Sequence, residues 1–316
     1  MNASAPETAP IIRIRGAEKA YRPLIGPAKQ ALAGIDLEIH AGEVFGLIGP
    51  NGAGKTTLLT CLLGLQRVDR GDLQVLGRPV EDLHVRACTG YLPERLGFDR
   101  DLTGRQFLAL HARLAGAPGD ADRAGADRLA QRVDLDPAAL ARPLKSYSRG
   151  MLQRIGLAQA LVGRPALLFL DEPASGLDPL GVTLVRRVIG EAKEDGATVV
   201  LNSHQLDEVE RVCDRVAFVE GGRVSRTESL KTPTAEGTWH VAVSDGRASD
   251  ALAALHATGL AAAVLEDGSL RVEGGAGAVE RIAPALVAHG IGLRELTPRR
   301  GRLEALFFTG DGGRGV

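Results

Sequence analysis

The sequence predicts an α/β fold: a core of buried parallel strands bearing a phosphate-binding loop, a helical insertion, and a small α+β ferredoxin-like module behind them. Three observations carry this. Val44-Phe-Gly-Leu-Ile48, Ala166-Leu-Leu-Phe-Leu170 and Ala197-Thr-Val-Val-Leu201 are short apolar runs of the kind that central parallel strands show. Gly49-Pro-Asn-Gly-Ala-Gly-Lys-Thr56 stands between the first of them and Thr57-Leu-Leu-Thr-Cys-Leu-Leu63, which suits a helix start. The last eighty residues follow the order strand, helix, strand, strand, helix, strand.

Composition narrows the function classes. A chain of 316 residues holds one large α/β domain and something small. A net charge of −1 gives no bias toward nucleic acid or anionic lipid, and no basic stripe with interleaved aromatics is present, so no nucleic-acid partner is expected. Cys61, Cys88 and Cys213 are odd in number and far apart, without zinc or disulfide spacing, which suits a reducing compartment. Met1 to Pro10 is polar and lacks the apolar core of a signal peptide. No apolar run approaches the roughly 20 residues that span a bilayer, so a membrane role has to come through a partner.

In chain order, Ile11 to Arg15 alternates weakly and reads as an edge strand. Tyr21 follows, a short way before the phosphate loop, where it either stacks on an adenine ring or is a plain surface tyrosine. Ile35, Leu37 and Ile39 alternate within Ala31–Ala41, a strand with one buried face. In the loop Gly49, Pro50, Asn51, Gly52, Ala53, Gly54, Lys55, Thr56, and into the helix at Thr57, glycines remove Cβ atoms so that backbone N–H groups converge on phosphate oxygens. The helix that follows adds its positive end. Lys55 reaches the β- and γ-phosphates of a nucleotide, and Thr56 can place its hydroxyl on Mg²⁺. A turn at Asp69-Arg-Gly71 leads to a short strand, Leu73-Gln-Val75. Thr89-Gly-Tyr-Leu-Pro-Glu94 reads as a strand ended by Pro93, which cannot donate to a ladder.

From about 102 to 162 the pattern is helical. Thr103 is a candidate N-cap ahead of Phe107, Leu108, Leu110 and Leu114, and a second helix covers about 121–133. Tyr147-Ser-Arg-Gly-Met151 opens the helix Leu152–Leu161. Ser148 beside Gly150 at that helix start makes either an anion site or a plain capped helix. The run 166–170 ends in Asp171 and Glu172, two carboxylates at the carboxyl edge of a strand, where ligands of open α/β sheets bind. Asp171 can hold Mg²⁺, and Glu172 can orient and polarise a water for in-line attack on a γ-phosphate. Ser175-Gly-Leu-Asp178 follows, with Pro179 starting a helix. His204 stands just past the strand 197–201, in reach of a γ-phosphate oxygen. Arg215–Val219 and Arg223–Ser225 form a hairpin across Glu220-Gly-Gly222. Beyond a linker at Thr232-Pro-Thr, the tail has strands at 239–243, 261–265, 269–272 and 291–296 and helices at 248–257 and 279–288. A last helix, 303–308, carries Phe307 and Phe308. This tail shows no catalytic constellation and reads either as a docking or dimerisation module or as a stability element.

Taken together, these pieces resemble the ATP-binding subunit of ABC transporters over about residues 11–228. The resemblance rests on ordered motifs: Tyr21 as adenine-stacking aromatic, Gly49–Thr56 as phosphate loop, Gly90-Tyr-Leu-Pro-Glu94 as the loop that senses the membrane partner, Tyr147–Met151 as signature, Leu167–Glu172 as the Mg²⁺ strand with its catalytic glutamate, and Ser175, Asp178 and His204 in the loops that close a dimer. It implies an ATPase with a P-loop core and an antiparallel β subdomain over 11–230, with the small module at 238–310. It implies ATP and Mg²⁺, the metal held by Thr56 and Asp171 with Glu94 as a further candidate, and Glu172 and His204 as catalytic residues. Two copies would face head to tail, with Ser148, Arg149 and Gly150 of one acting on the ATP of the other. A separate multi-span membrane subunit would place the chain at the cytoplasmic face of the membrane. Two departures from the family pattern stand out. Glu94 replaces a glutamine, and a carboxylate there can either bind Mg²⁺ more strongly or repel the nucleotide. Arg149 and Met151 replace the third and fifth signature residues, usually Leu-Ser-Gly-Gly-Gln. Both departures look like those of type-2 export systems. Importers, and soluble members acting on ribosomes or DNA, are the alternatives; the latter carry tandem cassettes or long coiled coils that this chain has no room for.

Overall fold

Fully apolar strands can be satisfied only inside a sheet covered on both faces, and the chain uses them so. The computed structural model describes residues 9–22, 27–230, 238–244, 246–265, 267–274, 276–298 and 303. The chain divides into two units, Met1–Ser229 and Leu230–Val316.

The first unit holds two sheets. One is antiparallel and contains β1 (Ile12–Tyr21), β2 (Lys29–Ile39), β4 (Arg70–Val75) and β5 (Arg78–Pro79), in the order β2-β1-β4-β5. The other contains β3 (Val44–Ile48), β6 (Thr89–Leu92), β7 (Leu167–Asp171), β8 (Thr198–Asn202), β9 (Arg215–Glu220) and β10 (Arg223–Ser229). Its order is β10-β9-β3-β8-β7-β6, parallel throughout except for the hairpin strand β10. Every residue of β3, β7 and β8 is buried. Helix α1 (Lys55–Leu62) leaves the end of β3, and its Leu58, Leu59 and Leu62 join Phe45, Phe169 and Val200 in one core with Ile12, Ile14 and Ile35 of the antiparallel sheet.

The insertion runs between β6 and β7, as expected, and contains α3 (Gly104–Leu114), α4 (Pro118–Ala121), α5 (Arg123–Arg132) and α6 (Arg149–Ala160). Thr103 caps α3 in a reciprocal box: its Oγ1 accepts from Gln106 N, and Gln106 Oε1 accepts from Thr103 N. α7 (Pro179–Glu194) and α8 (Leu206–Val212) connect the remaining strands, joined by a bidentate ion pair between Arg186 and Glu208.

In the second unit, β11 (Thr238–Val243), β12 (Ala262–Val264), β13 (Leu270–Glu273) and β14 (Leu293–Pro298) form an antiparallel sheet in the order β12-β13-β11-β14. With α9 (Ala248–Ala257) and α10 (Val279–Ala288) between them, this is the β-α-β-β-α-β arrangement, its core built from Val241, Leu255, Leu270, Ile282 and Leu286.

Several expectations change. β1 is an interior strand, not an edge: it extends to Tyr21 and pairs with β2 on one side and β4 on the other. Arg70 and Gly71 lie within β4 rather than in a turn. Leu110 and Leu114 share α3 with the buried Phe107 and Leu108 but are 44% and 75% exposed, because four-residue spacing puts them together on the outer face. α2 (Leu83–Ala87) and β5 are one-turn and two-residue elements that no periodicity marks. The linker Thr232–Thr234, Phe307 and Phe308 lie outside the described residues, and of the expected last helix only Leu303 is described, buried. Among the described residues, no helix is long and apolar enough to cross a membrane.

Candidate functional site

Parallel pairing fixes where the site forms. Register sets Asp171 opposite Asn202 across β7 and β8, and Leu47 opposite Asn202 across β3 and β8. The phosphate loop, the two carboxylates and the His204 turn therefore emerge at one carboxyl edge. Gly54 is the N-cap of α1 with φ +105, and a Cβ there would overlap the Ala31 carbonyl oxygen of β2. Only glycine fits that left-handed, crowded position.

Lys55 is buried, and its Nζ donates to Gly49 O at 2.7 Å and Pro50 O at 3.1 Å. Burial lowers its pKa, while the nearby Glu172 and Asp171 carboxylates oppose that shift. Asp171 is 1% exposed and accepts from Asn202 Nδ2 at 2.5 Å. Glu172 has φ +49, a left-handed conformation that costs a non-glycine residue about 1–3 kcal/mol and persists only where its surroundings enforce it. His204 Nδ1 lies 2.8 Å from Glu172 Oε2, yet Oε2 is buried with no hydrogen-bond donor aimed at it, so the pair is close without being aligned. Asn202 Oδ1 is likewise buried without a partner. Two unsatisfied acceptors beside a buried carboxylate fit a hydrated cation and an ordered water. Among the described residues there is no cluster of three or more His, Cys, Asp or Glu side chains able to hold a metal. Such a cluster is not required for Mg²⁺, which takes one or two protein ligands plus phosphates and water.

A cavity of about 290 Å³ gathers Tyr21, Asn51, Gly52, Gly54, Lys55, Thr56, Thr57, Glu94, Glu172, Ser175 and His204. Gly49, Pro50 and Ala53 of the same loop are not among the residues that line it. Tyr21 is held from one end: its hydroxyl donates to Gln66 Oε1 at 2.5 Å and lies 3.4 Å from Thr57 Oγ1. Glu94 is exposed, and its charge adds to the upward pressure on Asp171 and on Tyr91, whose pKa burial pushes to about 12.

Ser148, Arg149, Gly150 and Asp178 are not among the residues lining this cavity. Ser148 is exposed and caps α6, its Oγ accepting from Met151 N at 3.3 Å. Asp178 caps α7, accepting from Gly181 N at 2.8 Å. Three participants escaped the sequence reading. Asn202 was marked only by its register beside Asp171. Lys29 lines the cavity because β2 pairs it with Tyr21. Gln66 carries no pattern at all.

The Asp171 carboxyl is held above the usual carboxylate range chiefly by burial, with Glu94 and Glu172 adding to the effect and Asn202 and Lys55 opposing it. The folded state therefore keeps this proton to higher pH than the unfolded chain does. The stability this provides is complete below the unfolded pKa and is lost as pH rises through the folded one. Near neutral pH the ionised, buried carboxylate is a net cost. Asp171→Asn should raise the melting temperature of the nucleotide-free protein at neutral pH. A pH series of melting curves should show that gain shrink as pH falls and vanish below about pH 3, where the carboxyl is protonated in both states.

A glycine loop that offers a buried lysine at a helix start, faced by carboxylates at the carboxyl edge of a parallel sheet, defines a nucleotide-binding cassette of the phosphate-loop class. Comparison with known proteins narrows the class. The ABC transporter family profile matches residues 32–175. An uncharacterised ABC transporter ATP-binding protein of Nostoc sp. is 44% identical over 218 residues, covering 68% of this chain and 65% of that protein. One of Synechocystis sp. is 43% identical over 205 residues, covering 64% of this chain and 57% of its own length. The chain thus spans less than two thirds of these two relatives. A daunorubicin resistance ATP-binding protein of Streptomyces coeruleorubidus is 36% identical over 316 residues, covering 95% of this chain and 96% of its own. Among solved structures, the ATP-binding subunit of an ABC transporter superposes with a TM-score of 0.63 at 28% identity, over 70% of this chain and 90% of that one. The chain belongs to the ABC transporter ATP-binding family.

Proposed function

We propose that the chain is the ATP-hydrolysing subunit of an exporter and works as a head-to-tail pair on a separate multi-span membrane subunit, at the cytoplasmic face of the membrane. The observation that carries this is the cavity in which Lys55 and Thr56 face Glu172 and His204 above the buried Asp171. Phosphate oxygens would replace the Gly49 and Pro50 carbonyls now bonded to Lys55. Thr56 and Asp171 would hold Mg²⁺, which neutralises charge on the phosphates. Glu172 accepts the proton of the attacking water, and His204, whose Nδ1 lies 2.8 Å from Glu172 Oε2, reaches a γ-phosphate oxygen beside it. Tyr21 offers its ring to the base, and its tether to Gln66 keeps the ring in place.

The pair is inferred from what a single chain lacks. Ser148 and Gly150 stand at a helix N-terminus, an anion-binding end, and do not line the nucleotide cavity of their own chain. A second copy brings that end onto the phosphates. A solved cassette of the same fold, 22% identical with a TM-score of 0.63, is described as dimeric. Export is favoured by relatives named for daunorubicin resistance and for Nod factor export, the latter a Burkholderia orbicola protein 37% identical over 214 residues. Affinity purification from native membranes tests the reading. The expected result is a multi-span membrane protein recovered with the chain, together with Mg²⁺-dependent ATP hydrolysis. Recovery only with ribosomes or DNA would refute it.

A further inference from the structure

Helix α6 also touches the loop that follows β7. Arg149 and Gln153 stand four residues apart and so share one face of the helix. The Gln153 amide is buried and donates to Pro173 O at 2.8 Å. The Arg149 guanidinium lies against Gly176: a Cβ built on that glycine, whose φ is +69, would overlap Cζ, Nη1 and Nη2 together. Among the described residues no hydrogen bond or ion pair holds the guanidinium. The loop between these two contacts includes the backbone that shapes Glu172. Glu172 N donates to Asn202 O at 2.8 Å, and Glu172 O accepts from Ser175 N at 3.0 Å, one residue before Gly176. A left-handed glutamate persists only where its neighbours over-determine it, and the planar guanidinium packs on Gly176, the residue after the Ser175 that closes that turn.

We infer that Arg149 is a positioning residue for Glu172: by packing on Gly176 it fixes the 172–176 turn to the start of α6, so that the helix end meeting the second copy's nucleotide also sets this copy's own carboxylate. The inference rests on the paired-ATPase reading above. It adds a physical link between the two nucleotide sites of the pair, running from Ser148 through Arg149, Gly176 and Ser175 to Glu172.

A double-mutant cycle tests it, with Arg149→Ala, Gly176→Ala and the pair measured for kcat and KM in the full chain. Misplacement of a reacting group by about 1 Å can cost on the order of 100-fold. Arg149→Ala should therefore lower kcat about tenfold or more, with KM for ATP and the melting temperature nearly unchanged. Gly176→Ala should lower kcat more in the native background than once Arg149 is gone, because only the native background loses the contact, while the backbone strain is common to both and cancels in the coupling term. Arg149→Lys should not rescue, since an ammonium has no plane to lay on the glycine. Additive effects, full rescue by lysine, or a raised KM at unchanged kcat would each overturn the inference. The last would mark Arg149 as a phosphate contact to the second copy. Glu172→Gln distinguishes the two levels: if that variant stays active, the ATPase reading itself falls, whereas an inactive Glu172→Gln with an additive cycle removes only the role of Arg149.

Discussion

Glu172→Gln should lower steady-state ATP hydrolysis by about 10²–10⁴-fold while leaving ATP binding intact. Glutamine keeps the size and left-handed backbone of the native residue, so the turn and the cavity survive. What it loses is the ability to accept a proton, and Glu172 Oε2, buried without a donor and 2.8 Å from His204 Nδ1, is placed to be that acceptor. Because binding and hydrolysis separate in this variant, ATP should also hold two copies together. Size-exclusion chromatography with and without ATP checks this directly, and a monomer in both runs, or native-like turnover, would contradict the assignment.

Ser148→Asp should be almost as damaging, although Ser148 lies outside the nucleotide cavity of its own chain. Aspartate is as good an N-cap as serine and favours the positive end of α6, so the fold of the single chain is spared. The new carboxylate, however, would face the triphosphate bound to the second copy, where it replaces an anion-binding group by a like charge. Loss of one donor to developing charge in such a site costs about 10²–10³ in kcat, and repulsion adds to it. The expected outcome is hydrolysis reduced at least 100-fold with an unchanged melting temperature. A fall in melting temperature alone would assign Ser148 to capping and nothing more.

How much of this was legible in the sequence follows the range of each signal. Val44–Ile48, the glycine loop and the run ending in Asp171-Glu172 could be read because strand burial and phosphate binding are written in consecutive residues. The β-α-β-β-α-β tail could be read for the same reason, since each element has its own period. The features that escaped depend on register and on contacts distant in sequence. Asn202 bonds Asp171 only because β8 lies beside β7 at that offset, and Lys29 reaches the cavity only because β2 pairs with Tyr21. The interior place of β1 is set by β4, about sixty residues on, so its weak alternation misled. Arg149 was visible as a departure from the family signature, but its resting place on Gly176 was not, since nothing in a linear pattern relates a helix start to a turn across the sheet edge.

The claim on which the rest depends is that each nucleotide site is completed by a second copy. Mixing Lys55→Ala with Ser148→Asp tests it most directly. Each variant alone lacks a complete site: the first cannot hold the phosphates, and the second cannot act on its partner's. In a mixed pair, the intact phosphate loop of the Ser148→Asp chain meets the intact signature of the Lys55→Ala chain. Hydrolysis should therefore be near zero for either variant alone and return on mixing, rising with the concentration of both. No return on mixing, with each variant folded and the native chain active, would contradict a shared site.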